Sequence, residues 1–159
     1  MTNKLVIPEA ISHVTDNLTQ AGFASYLVGG CIRDLLMGKV PKDWDVATNA
    51  TPEQITKVFP KTFYENDFGT VTVVNENETE LSLRNIEVTP FRQEAKYSDK
   101  RHPDKVTFGH TIEEDLARRD FTINALAYEL AKGQIIDLYG GQADVKDKVV
   151  RAVGQASDR

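Results

Sequence analysis

The chain has 159 residues, of which 40% are apolar and 27% charged, enough for one domain with a hydrophobic core. It carries 19 Lys and Arg against 24 Asp and Glu, and this net charge of −5 excludes a general nucleic-acid coat protein, so RNA would have to be held by a local basic patch or by parts of the protein outside this chain. The lack of a signal peptide, of a membrane-length apolar run and of a second cysteine favours a cytoplasmic protein with no membrane partner, no internal disulfide and no cysteine-built zinc site.

Helices and short strands alternate in the first half of the chain. The predicted elements are a helix over 7–20, a strand at 25–28, a helix over 31–37, a strand at 43–47 and a helix from 52 to about 59. Ile11, Val14 and Leu18 have the spacing of an amphipathic helix. Thr51 and Gln54 form the pattern of a capping box, which predicts the start of the third helix.

The second half of the chain is predicted as strands followed by a helical segment. The predicted elements are strands at 62–65, 70–75 and 80–89, a hairpin turn at 76–79, a polar loop at 92–105, a capping box at 111–114 and a helix marked by Ile123, Leu126, Ala127 and Leu130. Together the two halves predict an α/β (α+β) domain, with a mixed sheet of about five strands flanked by helices.

Asp43 and Asp45 are separated by one residue on a predicted strand. Residues two apart on a strand point to the same side, and two carboxylates so placed repel each other unless a cation lies between them. Oxygen ligands select a hard cation, and magnesium binds few protein carboxylates together with substrate phosphates. The pair therefore indicates a magnesium site, and the alternative is a surface strand edge with two solvated acids.

Gly29 and Gly30 lie between a predicted strand and a predicted helix, ahead of the two aspartates. Glycines at such a turn let a phosphate approach the backbone, and Arg33, one turn into the helix, would pair with that phosphate. The alternative is an ordinary turn followed by a surface arginine.

Glu87 is a candidate third carboxylate for a second metal or a base. It alternates with Asn85 and Thr89 on one face of its predicted strand and is flanked by apolar Ile86 and Val88. The alternative is an exposed acid on an edge strand.

Arg118, Arg119 and Asp120 form a dense charged cluster ahead of the last predicted helix. One arginine would clamp a triphosphate while the other pairs with Asp115 or Asp120. The alternative is a structural salt-bridge network at the start of a helix.

The order and spacing of these motifs resemble the class II tRNA nucleotidyltransferases and the related bacterial poly(A) polymerases. The resemblance spans residues 26 to about 154, and its segments are 27–34, 42–48, 68–71, 87–92, 101–104 and 114–125. It implies the head fold of the DNA polymerase beta-like nucleotidyltransferases. Each motif is moderately specific, and their shared order is highly specific.

The resemblance also implies an activity and roles for individual residues. Asp43 and Asp45 would hold magnesium, and Gly30, Arg33 and Arg119 would contact the incoming nucleotide. The enzyme would add C, C and A to tRNA 3′ ends from CTP and ATP and release pyrophosphate. Glu87 as the third catalytic carboxylate is our own extension.

The resemblance further predicts how the chain divides. Residues 1–150 would be the catalytic head, and residues 151–159 the start of a truncated helical neck. The neck motif that selects CTP or ATP and the helices that hold tRNA would lie outside this chain, so the fragment itself would lack full activity.

Two rival functions remain. A bacterial poly(A) polymerase would carry a basic signature after the third predicted helix, and residues 61–67 are not basic. A non-catalytic nucleotide-binding module would keep the glycines but would not need both Asp43 and Asp45.

Overall fold

The computed structural model describes residues 5–65, 69–92 and 109–154. The predicted polar loop at 92–105 therefore lies, apart from Arg92, outside the described residues. Within the three described ranges, no helix is long and apolar enough to cross a membrane.

Helices and strands alternate along the described ranges. The helices are α1 (Glu9–Gln20), α2 (Gly30–Leu36), α3 (Pro52–Val58), α4 (Leu81–Arg84), α5 (Ile112–Ala117), a 3-10 helix (Thr122–Asn124) and α6 (Gly141–Asp147). The strands are β1 (Ser25–Val28), β2 (Asp45–Thr48), β3 (Thr62–Glu65), β4 (Thr70–Val74), β5 (Asn85–Pro90), β6 (Leu126–Glu129) and β7 (Gln134–Asp137).

The strands form one mixed sheet in the order β3-β4-β5-β2-β1-β6-β7. Strands β2 and β5 are parallel, and the other neighbouring pairs in this order are antiparallel. The predicted fold class is thus confirmed, with seven strands among the described residues in place of about five. The parallel pair brings Asp45 of β2 opposite Glu87 of β5.

The main core lies between one face of the sheet and three helices. Its buried members include Ile11 and Leu18 of α1, Ile32 of α2, Ile55 of α3 and Val46 of β2. The opposite face carries a smaller cluster under α5, which contains Val28, Ala47, Ile112, Leu116 and Ala127. Asp45 alternates with Val46 along β2 and so shares a face with Ala47. The carboxylates therefore lie on the face that α5 covers only in part.

The strand predicted at 80–89 begins later than expected. Residues 81–84 form the single turn α4, in which the amides of Leu83 and Arg84 donate to the Glu80 carbonyl. Leu81 is exposed, whereas Leu83 packs against the main core from this turn. Strand β5 starts at Asn85 and keeps the predicted alternation of its side chains.

The helix predicted around residues 123–130 is wrong. Only the short 3-10 turn at Thr122–Asn124 is helical, and Leu126–Glu129 form strand β6 between β1 and β7. Leu126, Ala127 and Tyr128 are consecutive and all buried. A central strand covered on both faces has no polar alternation, so its apolar run imitates a helical stripe.

Strand β7 and helix α6 complete the C-terminal part and were not predicted. Beyond α6, the chain returns to the body of the domain: the Thr122 amide donates to the Arg151 carbonyl, and the Val153 amide donates to the Asp120 carbonyl. Val153 is buried. Residues 151–153 are therefore attached to the head.

Candidate active site

The three predicted carboxylates lie together at the start of β2 and on β5. Strand β2 begins at Asp45 rather than at Asp43, and Asp43 lies in the irregular segment just before it. Trp44, between the two acids, is buried in the main core. Asp45 and Glu87 are direct neighbours across the parallel pair. The parallel pairing thus unites acids that are far apart in the sequence.

The pKa of the Asp45 carboxyl is raised by its surroundings. Burial, followed by the negative charge of Glu87 and a side-chain hydrogen bond with Glu87, raises the pKa of Asp45 from 3.8 to about 6. The charge of Asp43 raises it further, and the Arg119 guanidinium opposes the increase. Burial and the neighbouring acids therefore disfavour the ionised form of Asp45.

The donor set here is made of carboxylate oxygens alone. Among the described residues, no three His, Cys, Asp or Glu side chains are arranged to hold a metal ion. Asp45 and Glu87 are instead hydrogen-bonded to each other. The arrangement suits a hard cation that takes one or two carboxylates and completes its shell with substrate oxygens.

The glycine turn between β1 and α2 is shaped by two arginines. Gly29 has a φ of +77°, and a Cβ there would lie 3.0 Å from Nη1 of Arg119. A Cβ on Gly30 would lie 3.1 Å from Nη2 of Arg33. Glycine at both positions therefore lets two guanidinium groups pack against the turn, a reason that the sequence alone does not reveal.

Arg119 is held in this position by a buried carboxylate. Its Nη2 donates to Oδ2 of Asp115 at 3.0 Å, and the Asp115 side chain is only 1% exposed. Nε of Arg119 is buried with no hydrogen-bond partner among the described residues. A cation fixed on one side and unsatisfied at Nε is suited to receive an anion.

Arg33 is fixed in a comparable way. Its Nη1 donates to Oδ1 of Asn124 at 2.8 Å, and its Nε donates to Oδ1 of Asp34 at 3.2 Å. Arg33 and Arg119 therefore reach the same glycine turn from α2 and from the segment after α5. The predicted set of Gly30, Arg33 and Arg119 is brought together.

Two residues that orient these arginines were missed as functional residues. Asn124 accepts a hydrogen bond from Arg33, and Asp115 accepts hydrogen bonds from both Arg118 and Arg119. Asp115 was considered only as a pairing partner. Asp120, the other candidate partner, accepts instead from the Phe121 amide and from Asn124. The one signal in the sequence is the density of polar residues over 115–124.

The likeness to known proteins agrees with this geometry. The profile of a family described as the poly A polymerase head domain matches residues 25–151. The chain belongs to this head-domain family. The matched range includes both arginines, the glycine turn and all three carboxylates.

Individual relatives of this head domain carry a consistent name. A CCA-adding enzyme of Lactobacillus delbrueckii subsp. bulgaricus is 48% identical over 147 residues, which cover 92% of this chain and 35% of that protein. A crystal structure of the Bacillus stearothermophilus CCA-adding enzyme in complex with CTP superposes with a TM-score of 0.80 at 37% identity, covering 96% of this chain and 36% of that one.

The structure of a third relative contains bound RNA. The Thermotoga maritima CCA-adding enzyme complexed with tRNA superposes with a TM-score of 0.69 at 26% identity, covering 94% of this chain and 34% of that one. The head domain described here thus spans about a third of the length of the relatives that it matches.

Proposed function

We propose that the complete protein is a CCA-adding tRNA nucleotidyltransferase. It transfers CMP, CMP and AMP in turn from CTP and ATP to the 3′ end of tRNA, without a template, and releases pyrophosphate. The observation that carries the proposal is the site itself, in which a cluster of acids faces two anchored arginines at a glycine turn. The relatives named CCA-adding enzyme, one of them in complex with CTP and another with tRNA, support it.

The triphosphate belongs on the side of the arginines. Arg119, with its unsatisfied buried Nε, and Arg33 supply positive charge at the turn where Gly29 and Gly30 leave room for both guanidinium groups. Phosphates held there leave the α-phosphate near Asp45, since the charge of Arg119 acts on the pKa of Asp45. The arginines therefore orient the leaving pyrophosphate.

A divalent cation fits the acidic side of the site, and we propose magnesium. Asp43 and Asp45 would hold it, because a bound cation would favour the ionised form of Asp45, which burial and the neighbouring acids disfavour. Bound there, the ion would lower the pKa of the attacking hydroxyl and offset charge that develops on the α-phosphate.

The reaction on these residues is an in-line displacement. The 3′ hydroxyl of the primer loses its proton to solvent and its oxygen forms a bond to the α-phosphorus. The bond between the α-phosphorus and the bridging oxygen breaks, and pyrophosphate leaves towards Arg119 and Arg33. Glu87, hydrogen-bonded to Asp45, is the third carboxylate. We propose that it orients Asp45 through this hydrogen bond.

The division of the chain also remains a proposal. Residues 1–150 form the proposed head, and a helical neck is proposed to start at 151. The hydrogen bonds from residues 151–153 back to 120–122 favour a boundary a few residues further along.

Incorporation of labelled CMP and AMP into tRNA that lacks its CCA end tests the proposal in the complete gene product. We expect addition of all three nucleotides, and loss of transfer in Asp43→Ala and in Asp45→Ala with the fold intact. If both variants keep more than about a tenth of the activity, a loss of only ~1.4 kcal/mol, the carboxylate assignment fails. Long tracts of A added to RNA without CMP would favour the poly(A) polymerase.

A further inference from the structure

One exposed aromatic residue lies in the same cross-strand row as the carboxylates. Asp45 is opposite Glu87, Glu87 is opposite Thr72 of β4, and Thr72 is opposite Phe63 of β3. Directly paired residues share a face of the sheet, so all four side chains project from the same face. Three strand spacings of about 4.8 Å put Phe63 roughly 14 Å from Asp45 along this row.

Among the described residues, no packing contact requires Phe63 to be aromatic. Its side chain is 60% exposed, and its neighbours in the row are the polar Thr72 and Glu87. It belongs to neither of the two hydrophobic clusters of the described residues. A large apolar ring beside a proposed catalytic site, on the face that the substrates must use, is suited to a ligand with a flat apolar surface.

The position of Phe63 determines which substrate it faces. The sheet order puts β1, with the glycine turn and its arginines, on one side of β2, and puts β5, β4 and β3 on the other. In an in-line displacement the attacking oxygen lies opposite the leaving group. Because pyrophosphate leaves towards the arginines, the primer must approach over β5, β4 and β3.

We propose that Phe63 is a stacking platform for a base of the single-stranded RNA primer, close to its 3′ end. This inference rests on the proposed function and adds a residue that positions the primer. A phenylalanine ring stacks on any base, so the contact would hold the RNA end as it changes from one terminal nucleotide to the next. Phosphate contacts alone would not fix the register of the end.

A matched control lies next to it in the chain. Tyr64 is also aromatic and exposed, at 43%, but it is opposite Val71, which is buried in the main core. Its side chain therefore projects from the other face of the sheet, away from the carboxylates. The two positions share strand, edge and residue class, and they differ in the face that they present.

Fluorescence tests the contact without relying on turnover. The 159-residue chain has one tryptophan, Trp44, which is buried, and the wild-type complete gene product supplies the background signal. We expect Phe63→Trp in the complete gene product to be quenched by a tRNA minihelix ending in single-stranded CC. Tyr64→Trp should not be quenched, and a minihelix with abasic 3′-terminal nucleotides should leave Phe63→Trp unquenched.

Steady-state kinetics give the second readout. We expect Phe63→Ala to raise the KM for tRNA at least about fivefold, equivalent to ~1 kcal/mol, with the KM for CTP unchanged. Phe63→Trp should restore the wild-type KM for tRNA, and Tyr64→Ala should match the wild type. Thermal melting of each variant checks that the edge strand has not unfolded.

Each outcome decides the matter. Equal quenching at positions 63 and 64, quenching that survives loss of the terminal bases, or an increase in the KM for CTP alone would overturn the role of Phe63. A protein that transfers no nucleotide to tRNA would refute the proposed function instead, and the quenching result would still decide whether Phe63 stacks on RNA.

Discussion

Asp115 shows how much of the site depends on one side chain. It is 1% exposed, and its two oxygens accept from the amide of Arg92, from Arg118 at 3.4 Å and from Arg119 at 3.0 Å. A buried carboxylate is tolerated only when its charge is met by such partners. Asp115 therefore both stabilises the fold and keeps the Arg119 guanidinium against Gly29.

We expect Asp115→Asn to lower the free energy of unfolding by about 1–3 kcal/mol, since a neutral amide meets two cations. It should also weaken nucleotide binding by loosening Arg119. Urea unfolding and a CTP titration measure the two effects. Asp120→Asn is the control, because that acid is exposed and its amide oxygen can still accept from the Phe121 amide. Equal effects of the two substitutions would contradict the role of Asp115.

Asp45 gives a pH-dependent prediction. Its pKa is about 6 in the folded protein, against an ordinary 3.8, so ionisation is disfavoured in the folded state. Its contribution to stability is therefore present in full below pH 3.8 and is lost as the pH rises through 6. Without metal, we expect Asp45→Asn to be more stable than the wild type by about 1–3 kcal/mol at pH 8, and the difference to vanish near pH 4.

The same experiment tests cation binding without measuring activity. Magnesium should stabilise the wild type at pH 8 and should stabilise Asp45→Asn much less, because one proposed ligand has lost its charge. Urea denaturation with and without MgCl2 measures this. Equal stabilisation of the two proteins would remove Asp45 from the proposed magnesium site.

At the scale of secondary structure, helix α6 packs against the 3-10 helix whose Asn124 positions Arg33. It packs on the 3-10 helix, and Oγ1 of Thr122 donates to Oδ2 of Asp144, with Arg151 on the same oxygen. These contacts hold the pKa of Asp144 below its usual value, the Thr122 hydrogen bond being the largest cause. The 3-10 helix carries Asn124, and thereby orients Arg33.

The close approach of α6 predicts a glycine that cannot be replaced. A Cβ on Gly141 would clash with the carbonyl oxygen of Thr122, a backbone atom that could make room only if the chain itself shifted. We expect Gly141→Ala to cost about 1–3 kcal/mol of unfolding free energy, despite the higher helix propensity of alanine. Urea denaturation measures the loss. Lys146→Ala, at an exposed position of α6, should change stability by less than about 0.5 kcal/mol, and a similar loss there would refute the packing argument.

At the scale of the whole molecule, the described groups at the proposed site are suited to features that all nucleotides share. Asp43, Asp45, Arg33 and Arg119 are charged and are suited to metal and phosphate, whereas the choice of a base requires hydrogen bonds to its edge. We therefore expect the 159-residue chain to bind CTP, ATP, GTP and UTP with similar affinity in magnesium. Titration of the four nucleotides decides this. A preference for CTP and ATP beyond tenfold, or ~1.4 kcal/mol, would show that the head itself reads the base.

The sequence by itself determined the features that are formed by residues close together in the chain. Thr51 and Gln54 form both hydrogen bonds of the predicted capping box. The Gly29–Gly30 turn was likewise readable, because it depends on adjacent residues. The strand predicted at 43–47 begins only at Asp45, so Asp43 precedes it. The fold class followed from the order of such segments and from the family resemblance that they carry.

Only the tertiary structure decided which distant residues meet. The parallel pairing of β2 with β5 puts Glu87 beside Asp45, and the packing of the segment after α5 brings Arg119 to Gly29 and Asn124 to Arg33. Strand β6 was misread as a helix because a strand buried on both faces loses the polar alternation that would identify it. Contacts between segments far apart in the chain leave no periodic pattern in either segment, so the sequence supplied the reactive groups and the fold selected their partners.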